Sequence, residues 1–468
     1  MKITIIGGGS YRVLGIIRSA LAVPGMLAKG EVYLYDLNVG RAEALGRLLL
    51  KSPEHRETGC AVKWGDNLAE ALTGADVVGT ILPAMRPQAY MLADEPSLTR
   101  GYINSDNVSP GGDLCGITIA PVVLNIAREM EKLCPSAWLI NFVNPVAVIS
   151  GMVNNHTKIK ALGVCGGFTN HLWDIARIFG QDEESAELQV EAAGINHISY
   201  ILRGTWQGKE LFGELNKRVT PDWQMCELQP WWNDGAKKMI TNSVTKLVRF
   251  WRDLGVLVFS TEGDGMAHLM YDEWVANDRA NFKPVTAADA DAAAAKSRAS
   301  RLEDDRTFQA PLKEELTDDF WQNHWHRSGD QRFKRADQDI FVRIFKAVSG
   351  VEKLSIATSR PNQGAIAGIK DRHVVEYSQV LFKDTIRSAS AAPYEIPDIV
   401  QGLTAGLAAH QTMLGDALAT EDPRLMARAM MSYPVRPYSK DLRDLWKDLI
   451  NIAGAHIKPA YAQAAEYL

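Results

Sequence analysis

Cysteine is scarce in this chain, and no long apolar run occurs in it. Five cysteines scattered among 468 residues do not make the disulfide framework of a small secreted protein. No apolar stretch reaches the roughly 18 residues of a membrane span, and the first strand-like run begins too early to leave room for a signal peptide. We therefore expect a cytoplasmic protein with reduced thiols and no membrane partner.

An excess of basic charge is also lacking. The chain has 51 basic and 56 acidic residues, for a net charge of -5, which gives no reason to expect a nucleic acid as partner. Its 46% hydrophobic content is ordinary for a globular protein, and its length suffices for two or three domains. A small-molecule substrate is the default expectation, and we expect a homodimer or a homotetramer.

The N-terminal segment has the order strand, glycine turn, helix and strand. An apolar run over Lys2–Ile6 leads directly into three glycines and a serine, and a helical pattern begins at Tyr11. A second strand follows at Glu31 and ends in the carboxylate of Asp36. This order is the front half of a dinucleotide-binding βαβ unit.

The chemistry of such a unit assigns roles to the residues of the turn. Gly7, Gly9 and Ser10 let the backbone approach a pyrophosphate, whose charge the helix N-terminus favours. Asp36 can accept hydrogen bonds from the adenosine ribose, so we expect NAD rather than NADP. The glycine motif is incomplete, because Arg12 stands where its third glycine is expected.

Strand-like runs alternate with helical patterns up to about residue 200. The later runs lie at 76–82, 137–141 and 161–165. This alternation predicts an α/β fold with a Rossmann-like doubly wound parallel sheet, as in lactate and malate dehydrogenases. We expect an NAD-binding domain at 1–200 and a mixed α+β domain at 201–468 that carries substrate, metal and oligomer contacts. Residues 275–340, rich in alanine and charge, predict solvated helices or a mobile insertion.

Polar residues just past the strand ends are the first candidates for a site. Ligands in doubly wound sheets bind beyond the carboxyl ends of the strands. Arg86, Asn141, Asn144 and Cys165 stand at such positions, with Asn141 expected to contact the cofactor. The Asn-Pro step after Asn144 is by itself also an ordinary turn signal.

Cys165 and His197 each follow a strand-like run and a glycine. A thiolate and an imidazole suit a divalent transition metal with positions left open for substrate oxygens. Spacing alone also fits a small buried cysteine and a satisfied core histidine, so both interpretations stand on the residues alone.

Several motifs together resemble glycoside hydrolase family 4, the NAD- and metal-dependent glycosidases. They occur in the family's order and cover nearly the whole chain: Gly7–Ser10, Asn107–Gly112, Asn141–Pro145, Gly163–Cys165 and Gly194–His197. Downstream runs are similar to the branch that acts on uronic acid glycosides, of the α-galacturonidase type: Gly263-Asp264 with His268-Leu269, and Pro361-Asn362-Gln363-Gly364 ahead of Val374-Val375-Glu376.

The resemblance implies a glycosidase that oxidises its sugar at C3 with NAD, removes the C2 proton, eliminates the leaving group, adds water and re-reduces the sugar. This family is an exception to the usual pair of carboxylates. Cys165 and His197 would hold Mn²⁺ or a similar divalent metal. Asn144 would contact the sugar hydroxyls, Arg86 an anion at C6, and Tyr271 would be the C2 base.

The chain departs from the family pattern beside the metal ligands. Members often carry an acidic or polar residue after the metal-binding cysteine, but Gly166 stands there. His171 is a candidate substitute for that general acid, although its helical setting favours an ordinary surface histidine. Tyr271 also has a packing interpretation, and Arg86 has acidic neighbours with which it could form a structural ion pair, at Asp94 and Glu95.

Two rival functions and two other motifs stay open at this stage. A lactate- or malate-type dehydrogenase shares the N-terminal architecture, and a non-catalytic NAD-binding sensor is the third class. His324 and His326 could bind a metal, but a solvated helical face is favoured. Trp231 and Trp232 could stack on a sugar, or serve core or dimer packing.

Overall fold

The computed structural model describes the chain in segments: residues 1–83, 87–182, 187–258, 268–269, 280–322, 333–435 and 439–468. The strands in these segments form one sheet of 13 strands. In chain order they are β1 Lys2–Ile6, β2 Glu31–Tyr35, β3 Ala61–Gly65, β4 Val77–Thr80, β5 Trp138–Asn141, β6 Lys160–Gly163, β7 Leu188–Ile195, β8 Ile198–Trp206, β9 Lys209–Glu210, β10 Leu257–Val258, β11 Leu354–Pro361, β12 Val374–Phe382 and β13 Thr385–Ser388.

Helices cover both faces of the sheet. Those of the described segments are α1 Arg12–Leu21, α2 Val39–Lys51, α3 Pro53–Thr58, α4 Leu68–Leu72, α5 Pro87–Leu92, α6 Asp94–Thr99, α7 Pro110–Leu133, α8 Val146–His156, α9 Gly167–Ile178, α10 Leu211–Arg218, α11 Asp234–Leu254, α12 Ala287–Gln309, α13 Ile340–Ser349, α14 Asp398–Thr420, α15 Pro423–Met431, α16 Ser439–Ala453 and α17 Pro459–Ala462. Short 3-10 turns lie at Ala310–Lys313, Gly454–His456 and Gln463–Tyr467.

The first six strands confirm the doubly wound parallel sheet. Their spatial order is β6-β5-β4-β1-β2-β3, all parallel, and the order reverses between β1 and β4. Each central strand is an almost continuous buried run, such as Ile3, Ile5 and Ile6 of β1, because helices cover both faces of such a sheet. The structure adds β3, which the sequence interpretation omits.

The second half of the chain extends the same sheet instead of only covering its edge. Strand β11 pairs antiparallel with β6, through Ser359 and Gly163, and the sheet continues through β12, β7, β8 and β10. Antiparallel strands and helices together make the expected mixed second part. Residue 200 lies within β8, and the division into 1–200 and 201–468 stays a prediction.

Helix α7 is long and apolar enough to span a membrane by length and composition. In the fold, however, 72% of its most apolar window is buried inside the protein. Core helices of soluble proteins pass the same test, so this helix is weak evidence for a membrane span. A cytoplasmic location stays a prediction.

The described part of the alanine- and charge-rich segment contains a solvated helix that is docked at its end, so it fits the first of the two expectations and not a mobile insertion. Helix α12 is largely exposed and begins with a capping box between Thr286 and Asp289. Phe308 at its end is buried, as are Trp321 and Phe333 beyond it. These aromatic side chains, and not an apolar stripe along the helix, anchor the segment to the N-terminal part.

Close packing of α8 against β12 makes a prediction about stability. A Cβ added to Gly151 would lie 2.0 Å from Cγ2 of the fully buried Val374. Gly151→Ala should therefore lower the free energy of unfolding by about 1–3 kcal/mol despite alanine's better helix propensity. Urea unfolding followed by circular dichroism measures this change.

Gly402 of α14 is the matched control, since no atom lies within 4 Å of its added Cβ. Gly402→Ala should raise the free energy of unfolding by up to about 1 kcal/mol. A Gly151→Ala protein as stable as the parent would contradict the packing of α8.

Candidate active site

The glycine turn after β1 lies flat against the neighbouring strands. Gly7 has a φ of +88°, and a Cβ there would meet the Ile81 carbonyl oxygen at 2.1 Å. A Cβ on Gly8 would lie 2.7 Å from Leu34. The N–H groups of both glycines donate to the Tyr35 carbonyl, at 2.9 and 2.8 Å. Only glycine fits this geometry at Gly7 and Gly8.

Asp36 lies where the sequence places it, at the end of β2 beside the turn. Its Oδ2 accepts from the Gly9 N–H and its Oδ1 from the Asn38 N–H, both at 2.8 Å. No side-chain cap is found at the start of α1, where Tyr11 is the N-cap residue. The positive end of the helix dipole and a carboxylate therefore flank the same turn.

Cys165 and His197 meet, although they belong to different halves of the sheet. Cys165 Sγ and His197 Nε2 are 3.6 Å apart, and both residues are half-buried. His197 lies in the turn between β7 and β8 with a φ of +69°. No group of three cysteine, histidine or acidic donors assembles among the described residues, so the protein donors found here are this pair.

Asn107 fixes the ring of His197. Its Oδ1 accepts from the Val146 N–H at 3.3 Å, and its Nδ2 donates to Asp106 Oδ1 at 3.1 Å. The amide nitrogen therefore faces His197 Nε2, also at 3.1 Å. In this hydrogen-bond assignment Nε2 is the acceptor, so its lone pair lies on the same side of the ring as Cys165.

Asp106 connects Asn107 to a second amide. Its Oδ2 accepts from Asn144 Nδ2 at 2.7 Å, while its Oδ1 binds Asn107. The carboxylate thus orients one residue that contacts His197 and one residue expected to contact the sugar.

Asn141 is fully buried at the end of β5. Its Oδ1 accepts from Thr80 Oγ1 at 3.1 Å, and its Nδ2 donates to the Val143 carbonyl at 3.0 Å. These bonds shape the turn that leads to Asn144. A cofactor contact of Asn141 stays a prediction.

Glu376 supports the turn that carries His197. One carboxylate oxygen accepts from Asn196 Nδ2 at 2.8 Å and the other from Ser199 Oγ at 2.6 Å. The side chain is 5% exposed. Upstream, Asn362 binds the carbonyls of Ile366 and Ile369 and so holds the loop between β11 and β12.

Comparison with known proteins decides the family. The model described as family 4 glycosyl hydrolase matches residues 2–179, and that of the family's C-terminal domain matches residues 192–435. The chain belongs to glycosyl hydrolase family 4. It is therefore a glycosidase, and the family assignment favours this class over the dehydrogenase and the sensor.

Relatives of this family 4 glycosyl hydrolase align over nearly its whole length. An alpha-galacturonidase of Thermoanaerobacter italicus is 26% identical over 98% of this chain and 97% of that protein. A 6-phospho-alpha-glucosidase from gut microorganisms, solved with NAD and Mn²⁺, has a TM-score of 0.74 at 17% identity, covering 97% of this chain and 98% of that one. A 6-phospho-beta glucosidase of Thermotoga maritima has a TM-score of 0.71 at 15% identity, covering 98% and 100%.

Some predicted residues of the family 4 enzyme lie outside the described segments: Arg86, Tyr271, His324 and His326. His171 corrects an expectation, because it is 6% exposed rather than a surface histidine. Its Nδ1 lies 3.7 Å from the carboxylate of Asp174 within α9. Of the two tryptophans, Trp231 is 68% exposed, whereas Trp232 donates its indole N–H to Asp182 at 2.9 Å.

Sequence reasoning missed the carboxylates that orient the site. Asp106 directly precedes the Asn107–Gly112 motif, and Glu376 ends the Val374-Val375-Glu376 run. The sequence alone indicated no role for either carboxylate. The available sequence signal for this loop was the Pro-Gly-Gly start of α7. A Cβ on Gly112 would lie 2.5 Å from the Asn107 carbonyl oxygen, so glycine is needed where the helix begins against the loop. Such crowding ties the loop to the first turn of the helix.

The thiols of the family 4 enzyme should differ in reactivity. Burial raises the pKa of Cys60 and of Cys134 to about 11, and it raises the pKa of Cys115 and Cys226 as well. The thiolate is the nucleophile, so these four thiols react slowly at pH 8. We expect iodoacetamide to alkylate the half-buried Cys165 first, as peptide mass spectrometry over time would show.

Protein unfolded in urea is the control, in which all five thiols should react at similar rates. Labelling of Cys226 as fast as Cys165 in the folded protein would contradict the expected order.

Proposed function

We propose that this enzyme hydrolyses small glycosides of hexuronic acids with the help of NAD and a divalent metal such as Mn²⁺. The observation that carries the proposal is the convergence of Cys165 and His197 beside Asn107, within hydrogen-bonding reach of the network that orients Asn144. The cytoplasmic location and the homodimer or homotetramer stay predictions.

The donor pair fits a metal. Cys165 Sγ and His197 Nε2 lie 3.6 Å apart, so one divalent ion could bind both donors. With Asn107 as donor, His197 Nε2 carries a lone pair, which a metal would bind in place of that hydrogen bond. Two protein donors leave open positions for substrate oxygens.

The glycine turn fits a dinucleotide. A side chain on Gly7 or Gly8 would collide with Ile81 or Leu34, so glycine lets the turn lie close against the strands, and α1 directs its positive end toward this turn. Gly9 and Ser10 complete the turn, and Asp36, whose Oδ2 accepts from the Gly9 N–H, is our candidate acceptor for a ribose hydroxyl. The solved relatives named above that contain NAD are consistent with this fit.

When bound, NAD takes and returns a hydride at C3 of the sugar and the metal polarises sugar oxygens, which acidifies the C2 proton. Within the described residues, Asp106 holds the Asn144 amide in place to bind sugar hydroxyls. Asn107 keeps the His197 ring in one orientation. Tyr271 is our candidate for the base that accepts the C2 proton, and Arg86 for the residue that binds the C6 carboxylate.

The general acid differs from the one suggested by family patterns. Gly166 carries no side chain, and the nearest atom to its added Cβ is Phe142 Cζ at 3.8 Å. His171 is buried against Asp174, so it is not favoured as the proton donor to the leaving oxygen. We infer that a group other than His171 donates the proton to the leaving oxygen, or that the leaving group departs as a stable anion that needs no proton.

The uronide preference rests on the alpha-galacturonidase, which aligns along the whole chain. In a panel of nitrophenyl glycosides with NAD, Mn²⁺ and a reducing agent, we expect the α-galacturonide to turn over faster than the neutral and 6-phosphorylated hexosides. Chelation should abolish turnover, because it removes the metal, and Mn²⁺ should restore it. The reducing agent is needed because the cysteine must be a reduced thiolate to bind the metal. No net NADH should accumulate.

Cys165→Ser should be inactive after chelation and metal return, while the control Cys226→Ser keeps its activity. Preference for a neutral or phosphorylated sugar would overturn the uronide assignment alone. Full activity of Cys165→Ser after exhaustive chelation would overturn the metal site.

Cofactor choice gives a second prediction, from Asp36. Like charges about 4 Å apart repel by about 1–4 kcal/mol, so NAD should bind at least about tenfold more tightly than NADP. Asp36→Asn should reduce this ratio, mainly by improving NADP binding, as fluorescence titration would measure. The exposed Asp66 at the end of β3 offers a control, since Asp66→Asn should leave the ratio unchanged.

Equal affinities of the unsubstituted enzyme for the two dinucleotides would show that Asp36 does not face the ribose.

A further inference from the structure

Helix α12 lies across the crevice of the parallel sheet. It contacts α2, which follows β2, and also α5, which follows β4. Strand β1 lies between β2 and β4, and the strand order reverses between β1 and β4. A dinucleotide binds at such a switch point, beyond the carboxyl ends of the strands. The helix therefore spans the two sides of the crevice in which the dinucleotide would lie.

An ion pair fastens α12 on the ribose side. Arg41 Nε donates to Asp305 Oδ1 at 2.6 Å, and the two side chains are 21% and 25% exposed. The Cβ of Arg41 lies 3.0 Å from the position of a Cβ on Gly9, whose N–H binds Asp36. This pair thus stands next to the turn and to the carboxylate expected to bind the ribose.

A second ion pair fastens the start of α13 on the other side of the turn. Arg12 donates to Asp339 Oδ2 through Nε and Nη2, at 3.0 and 2.8 Å. Its guanidinium also stacks on Phe142, 4.3 Å from the ring centroid. Arg12 is the first residue of α1, where the pyrophosphate would meet the helix. Arg12, which replaces the third glycine of the motif, therefore links the start of α1 to the start of α13.

We propose that Arg41–Asp305 clamps α12 over the dinucleotide, that Arg12–Asp339 ties the chain beyond α12 to the start of α1, and that the two pairs together retain the dinucleotide through successive turnovers. The proposal rests on the proposed function, in which the hydride is returned and the cofactor has no need to leave. Release of the dinucleotide requires α12 to move away from the crevice. Each pair that must break adds to the barrier for release.

The test compares the release rates of a dinucleotide from three single variants and one double variant. Asp305→Asn and Asp339→Asn remove one charge each, and asparagine can still cap α13 at position 339. Asp337→Asn is the matched control, because Asp337 pairs with Arg335 inside the same segment. Full-length enzyme is loaded with fluorescent etheno-NAD and chased with excess NAD in a stopped-flow instrument.

We expect release about three- to tenfold faster for Asp305→Asn and for Asp339→Asn, as for part-buried ion pairs, and faster still in the double variant. Asp337→Asn should match the parent. Salt at about 0.5 M should accelerate release from the parent and change the double variant little, because screening weakens the same two pairs.

Unchanged release rates in all variants would overturn the clamp. This holds even if the variants unfold at a lower temperature, because the ion pairs would then stabilise the fold without retaining the dinucleotide. Loss of binding in the unsubstituted enzyme is a different result. It would overturn the proposed cofactor itself, and the clamp with it.

Discussion

The pairing of β11 with β6 is the contact on which the active site depends. Gly163 pairs with Ser359 there, and a Cβ on Gly163 would lie 2.5 Å from Ser150 Oγ of α8. This close approach lets the antiparallel strands continue the parallel sheet and bring the turn of His197 to within 3.6 Å of Cys165. The site therefore forms only when these distant strands pair, and its geometry is held by the close packing of the sheet.

Two carboxylates stabilise the site without belonging to the Cys165–His197 pair. Asp106 binds the amides of Asn107 and Asn144, and Glu376 binds Asn196 and Ser199. Each carboxylate is satisfied through both oxygens, so its burial costs little and its partners are held in one orientation. Such support converts flexible loop positions into a preorganised arrangement.

The parallel half of the fold could be predicted because each central strand is a continuous apolar run. Strand β3 was missed because exposed Ala61 and Lys63 alternate with Val62, which weakens the apolar signal. Cys165 and His197 were predicted from their motifs, but the role of Asp106 could not be, since an acidic residue in a polar loop is usually solvated. The docking of α12 depends on distant partners such as Arg41 for Asp305, which local patterns do not reveal.

Asn107 makes the orientation of His197 a property of the fold. Because its amide hydrogen-bonds to the His197 nitrogen that faces Cys165, folding of the chain itself brings the two donor atoms within 3.6 Å of each other. Small zinc domains, by contrast, unfold when their ion is removed. On the proposed function, removal of the metal should therefore stop the reaction reversibly and leave the fold intact.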